Sequence, residues 1–173
     1  MDLISPIEDS IIKRLKDKTA GRVLVEPYPE SPETYEPTHA VGALLLRYSE
    51  ADYGDTQDTS LVVQDREMLF EVTLAMWSLR GKQGGIYAYM EAVRIALTGF
   101  TPPNCILKLT PVNEGFVGRG TGLKSKTRRL WQYQITFKTK TMNIEVTEEE
   151  QGPVFTQITT INATSQHTLE IPE

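Results

Sequence analysis

Four groups of residues have the types, and part of the spacing, that chemistry needs. The first is "RGKQGG", residues 80–85, set between an apolar segment and a helical pattern. Strand, glycine loop and helix N-terminus in that order bind phosphate in many proteins, because backbone N–H groups converge on an anion there. A loop of that kind also needs a Ser or Thr directly after its Gly-Lys pair to hold magnesium. Here Gly81 and Lys82 are followed by Gln83, so the segment reads as a strand-to-helix hinge eased by Gly84 and Gly85. The second group, "DYGDTQD", supplies Asp52, Asp55 and Asp58. Calcium loops place acidic ligands at every second residue with a glycine sixth, so this is a solvated acidic loop, as is the run Glu148, Glu149, Glu150.

The third group is His39, His167 and Cys105, the only histidines and the only cysteine. None has the neighbours in sequence that would make it a general base, a nucleophile or a zinc ligand, and Cys105 reads as a small buried hydrophobe. No enzymatic activity, cofactor or metal is expected. The fourth is the basic stretch "GRGTGLKSKTRR", which carries Arg119, Lys124, Lys126, Arg128 and Arg129. With Arg80 and Lys82 of the glycine loop, these are the candidate interface residues. They suit a solvated loop, an acidic partner surface or DNA phosphates. No aromatic residue is interleaved with them as a single-strand binder would want, although Trp131 and Tyr133 follow directly.

The elements that position these groups follow from periodicity. "SPIEDSIIKRLKDKT" predicts a helix with Ser5 as N-cap, Pro6 at the first helical position, Glu8 closing a capping box, Leu3 as a staple and Gly21 as the stop. Ile7, Ile11, Ile12 and Leu15 fall on one face of it. "RVLVEP" is a short strand leading into a loop of prolines and acids, residues 27–37. Residues 40–48 are the next strand, and the continuous apolarity of "AVGALLL", residues 40–46, predicts that both its faces are covered. "REMLFEVTLAMWSL" alternates, with Met68, Phe70, Val72, Leu74 and Met76 on the buried side. A second helix follows the glycine loop, with Ile86, Met90, Val93 and Leu97 on one stripe, Tyr89 and Ala96 beside it, and Gly99 ending it. "CILKLTPV" and "RLWQYQITFKTKTMNIEV" predict two strands of a hairpin whose tip is the basic stretch. Residues 1–150 are expected to form one α+β domain, and residues 151–173 a Thr-rich, extended C-terminal tail.

The chain has 173 residues and a formal net charge of −5, which argues against general nucleic-acid binding. Its charges are segregated. Residues 26–71 hold eleven acidic and two basic side chains, and residues 80–140 hold two acidic and eleven basic. Either the halves pair across neighbouring strands, or they stay exposed and meet head to tail on adjacent copies. One cysteine, no signal-like N-terminus and an apolar run no longer than "AVGALLL" lead to an expectation of a reduced, cytoplasmic chain without a membrane span.

The order N-terminal helix, "VEPYPE", apolar strand, long strand ending "SLRG", helix, "LTGFTPPNC" and "VNEGFV" resembles the Mu-like phage tail terminator family over residues 3–145. The resemblance implies a mixed, mainly antiparallel sheet flanked by helices, related to the terminators of lambda-like tails and assembled as a homo-hexameric ring. Such a ring caps the tail tube, stops its polymerisation and docks neck or connector proteins, and in contractile tails it also meets the sheath protein. DNA passes through it without specific binding. The implied location is the tail-neck junction of the virion, after assembly in the host cytoplasm. Three alternatives stand beside it: another neck component, such as a head-completion or connector adaptor; a small nucleotide- or nucleic-acid-binding protein using "RGKQGG" and the basic hairpin; and, last, a hydrolase whose activity would depend on His39 or Cys105.

Overall fold

The computed structural model describes residues 2–32, 34–57, 61–81, 84–119, 130–146, 157–162 and 165–170, with residue 119 and the last two stretches as backbone. In chain order the elements are α1 (Ile4–Thr19), β1 (Leu24–Pro27), β2 (Gly42–Tyr53), β3 (Val63–Met76), α2 (Ile86–Leu97), β4 (Thr110–Arg119), β5 (Trp131–Ile144), β6 (Gln157–Asn162) and β7 (Ser165–Glu170). Five strands form one sheet in the order β1-β2-β3-β5-β4. β1 runs parallel to β2 and the other pairs are antiparallel, so the sheet is mixed and mainly antiparallel, in an α+β fold.

Alternation along β3 divides the sheet into two unlike faces. Met68, Phe70, Val72, Leu74 and Met76 point with Leu44, Leu46, Ile135 and Phe137 into one core, closed by Ile7, Ile11, Ile12 and Leu15 of α1 and by Ile86, Tyr89, Val93, Ala96 and Leu97 of α2. Burying each large side chain there contributes about 1.5–3 kcal/mol. Arg14 Nε donates to Ala96 O at 3.1 Å and ties the helices together. On the opposite face a smaller cluster of Ala43, Leu45, Ala75 and Leu130 is covered by Tyr28, Tyr35 and Trp77. The proline-rich segment after β1 supplies this cover because a parallel pair cannot be joined by a tight turn and needs a crossover. Tyr35 Oη donates to Glu26. Burial first, and that carboxylate second, hold the Tyr35 phenol far above its ordinary pKa. Both faces of β2 at residues 42–46 are thus covered, as continuous apolarity predicts.

Several local expectations are corrected. Ser5 does not cap α1. The residue before the helix is Leu3, without a side-chain cap, and Asp2 Oδ1 instead accepts from the N–H groups of Ile4 and Ser5 at 3.0 and 3.1 Å. Glu8 closes no capping box. Its Oε1 accepts from Tyr48 N at 2.5 Å, beside the slip in β2–β3 register between Tyr48 and Glu50. The helix stops at Ala20, already left-handed at φ 49°, one residue before Gly21. "CILKLTPV" is strand only from Thr110 onward. Before that, Leu109 folds back on the exit of α2, with Gly99 N donating to Leu109 O and Leu109 N to Phe100 O, while Ile106 N donates to Lys140 O of β5. β2 continues to Tyr53, so Asp52 is on a strand rather than in the acidic loop. The C-terminal residues, expected to be an extended tail, carry two strands, with Gln157 opposite Glu170 and Asn162 opposite Ser165.

Candidate functional site

The turn that follows β3 is built by close packing. A Cβ on Gly85 would lie 2.3 Å from Leu79 O and 2.5 Å from Arg80 N, so only glycine lets the start of α2 rest on that peptide. Gly84, at φ +94°, turns the chain there. The first N–H of the helix, Ile86 N, donates to Ser78 O at 3.0 Å, and those of Ala88 and Tyr89 donate to Gly85 O. Ile86 and Ala88 supply first-turn N–H groups of the kind a phosphate loop would aim at its anion, and both are engaged within the protein. The hinge reading therefore describes the loop's described residues; Lys82 and Gln83 lie outside them.

What the hinge positions is an aromatic patch. Arg80 is exposed and its guanidinium lies 5.7 Å from the Tyr87 ring centroid, over the ring of the first turn of α2. Tyr87 meets Tyr133 of β5 edge-on at 5.9 Å. A hydrogen bond with Tyr87 is the main cause that holds the Tyr133 phenol above its ordinary pKa. Phe116 of β4 contacts Tyr133 at 5.3 Å and Trp131 at 6.2 Å. Phe116 is 55% exposed and Tyr87 39%, so the patch is open to a partner. Arg119 lies opposite Trp131 in the β4–β5 register, which roots the basic stretch at the edge of these rings. Lys124, Lys126, Arg128 and Arg129 lie outside the described residues, as does the side chain of Arg119. Arg80 is the one candidate interface residue whose side chain the structure describes.

Part of the charge segregation resolves within the chain. Lys138 Nζ meets Glu67 at 3.1 Å, Lys140 Nζ meets Asp65 at 2.9 Å, and Arg47 meets Glu71 at 2.6 Å. Glu67 lies opposite Lys140 and Leu69 opposite Lys138, so the two lysine pairs are diagonal contacts on the helix-free face. A hollow of about 380 Å³ opens beside them, lined by Ile106, Leu107, Lys108 and Thr110 as well as the Glu67–Lys138 pair.

The remaining sequence candidates have structural surroundings. His39 O accepts from the Trp77 indole N–H and its Nδ1 from Val41 N, both at 3.3 Å. His167 sits in β7 opposite Thr160. Cys105 is half-buried, and burial pushes its thiol pKa up, which disfavours the thiolate a nucleophile needs. Asp52 and Asp55 are exposed, and Asp58 lies outside the described residues. Among the described residues no three His, Cys, Asp or Glu side chains converge as a metal site would require, and no helix is long and apolar enough to cross a membrane.

Sequence reasoning missed Tyr87 and Phe116, which come from different segments and join Trp131 and Tyr133 only through the sheet. The available signal was the alternation in β5, which puts Trp131 and Tyr133 on the face where α2 packs.

A family model described as "Gp37 protein" matches residues 11–162. No curated protein matches the chain. Among solved structures, a chain of "Virion of native gene transfer agent (GTA) particle" is similar at 11% identity and a TM-score of 0.40, covering 80% of this chain and 96% of that one.

Proposed function

This chain belongs to the Gp37 family, and from that premise we propose that it is a structural virion protein, a tail terminator whose copies close into a hexameric ring on the end of the tail tube. The ring stops tube growth and presents a surface to neck or connector proteins, and to the sheath where the tail contracts. The observation that carries this reading is the open patch of Arg80, Tyr87, Phe116, Trp131 and Tyr133 at the root of the basic stretch. Exposed aromatics and arginine are what protein-protein hot spots are made of. The "SLRG" turn, one of the segments behind the tail-terminator resemblance, is also the segment that sets Arg80 against Tyr87.

The test is to measure the mass of the purified protein in solution and to image it with isolated tail tubes by electron microscopy. Sixfold rings at one tube end, absent for Phe116→Ala combined with Tyr87→Ala, are expected. A protein that ignores tubes and binds the portal side would move it to the connector. One that binds DNA with strong salt dependence would replace the reading with phosphate recognition.

A further inference from the structure

The sheet has two edges, and they differ. β1 is four residues long, with Val25 buried, Leu24 and Glu26 half-buried, and Pro27 at its end. Among the described residues β4 pairs only with β5, and residues 110–117 are exposed along its length. Val112, Phe116 and Val117, at 52–55% exposure, make it an apolar strand open on one side, the kind of edge that takes up a further strand. Register slips mark both ends of the open stretch, between Pro111 and Asn113 and between Phe116 and Gly118. Between Pro111, which has no N–H, and Gly118 lie the six residues 112–117.

At the other end of the chain, β6 and β7 are six residues each and, among the described residues, pair only with each other. A lone two-stranded hairpin is marginal in water and gains stability from a third strand. The flanking charges are complementary: residues 147–173 contain five acidic side chains and no lysine or arginine, Glu170 of β7 among them, whereas β4, with Glu114 and Arg119, leads into a stretch, residues 119–129, with five basic side chains and no acidic one. Among the described residues of one chain both the hairpin and the β4 edge keep an unpaired side.

We propose that the β6–β7 hairpin of one copy adds to the β4 edge of a second copy, extending its five-stranded sheet across the boundary between subunits. Donor and acceptor surfaces differ, so every copy gives one hairpin and receives another, and the contact runs head to tail. Closure of that chain of contacts into a ring rests on the terminator reading; the strand addition does not.

The experiment is a cysteine scan on the full chain in a Cys105→Ser background. Val112, Asn113 or Glu114 on β4 is replaced by cysteine together with Thr159 on β6 or Thr168 on β7, and the protein is oxidised with and without tail tubes. A ladder of covalent dimers and higher species from at least one combination is expected, together with loss of rings on deletion of residues 154–173. Absence of any ladder, or a crosslink found only within single chains, overturns the proposal, as do rings formed at normal yield by the deleted chain. A ladder without rings at tube ends would uphold strand addition and sink the terminator reading instead.

Discussion

On the helix-covered face of the sheet Phe70, Phe137, Met68 and Leu74 are shut off from water by two helices. On the opposite face, along the same strands, Lys138 and Lys140 reach diagonally to Glu67 and Asp65 and remain partly in solvent. Dense apolar packing makes the first face the seat of stability, since each buried ring contributes far more than a partly exposed ion pair. The charged part of the second face, beyond the Leu45–Leu130 cluster, and the β4 edge are correspondingly free to change composition without unfolding the chain. An assembly protein needs that division, because its contact surfaces must be exposed before a partner arrives.

The comparison breaks most readily at its centre. Phe70→Ala is expected to cost about 3–5 kcal/mol, read as a lowered urea midpoint. A loss below about 1 kcal/mol would show that the covered face is not where stability resides. Gly85→Ala should cost about 1–3 kcal/mol, because the new Cβ meets backbone rather than a yielding side chain; unchanged stability in the same titration would mean that the hinge is not tightly packed.

The open face supplies a smaller effect. A double-mutant cycle on Lys140 and Asp65 should return about 0.2–1 kcal/mol of coupling, falling as salt is added. Salt-independent coupling as large as the Phe70 loss would erase the distinction between the faces. The smallest effect concerns Glu8, the carboxylate of α1 that holds Tyr48 N. Burial raises its pKa above the ordinary glutamate value, so the folded chain binds its proton more tightly than the unfolded one. The stability this provides is complete below the unfolded pKa and is lost as pH rises through the folded pKa. Glu8→Gln keeps an acceptor oxygen for Tyr48, and thermal melts across that window should show a flatter pH dependence than the parent. Identical slopes would remove Glu8 as the cause.

The parts of the fold that were legible in the sequence are those governed by one periodicity. The stripe of α1, the alternation of β3 and the double cover of β2 each follow from residue order alone. The capping of α1 was misread because Asp2 and Ser5 are both good acceptors, and only the backbone path decides which reaches the free N–H groups. "CILKLTPV" looked like a strand because its apolar residues are contiguous, yet Ile106 and Leu107 are half exposed and Leu109 turns back onto α2. The candidate site was legible only in halves: its basic residues announce themselves by charge, whereas its rings are assembled by the β4–β5 register and by the angle at which α2 leaves the glycine hinge. The destination of the segregated charges was equally hidden. Whether Lys138 meets Glu67 or solvent depends on a register that no count of charges contains.

The strand order has a consequence for the timing of synthesis. β5 lies between β3 and β4 in the sheet but is made about 55 residues after β3 ends, roughly 3–11 s later at ribosomal speed. During that interval the nascent chain adds α2 and β4 to α1, β1, β2 and β3, while one side of β3 stays unpaired and Phe70 lacks its neighbour Phe137. That side is a long, apolar, temporary vacancy into which a strand of another nascent chain could pair. The cell therefore has reason to keep neighbouring ribosomes on this message apart, or to shield β3 with a chaperone, until residue 144 has emerged.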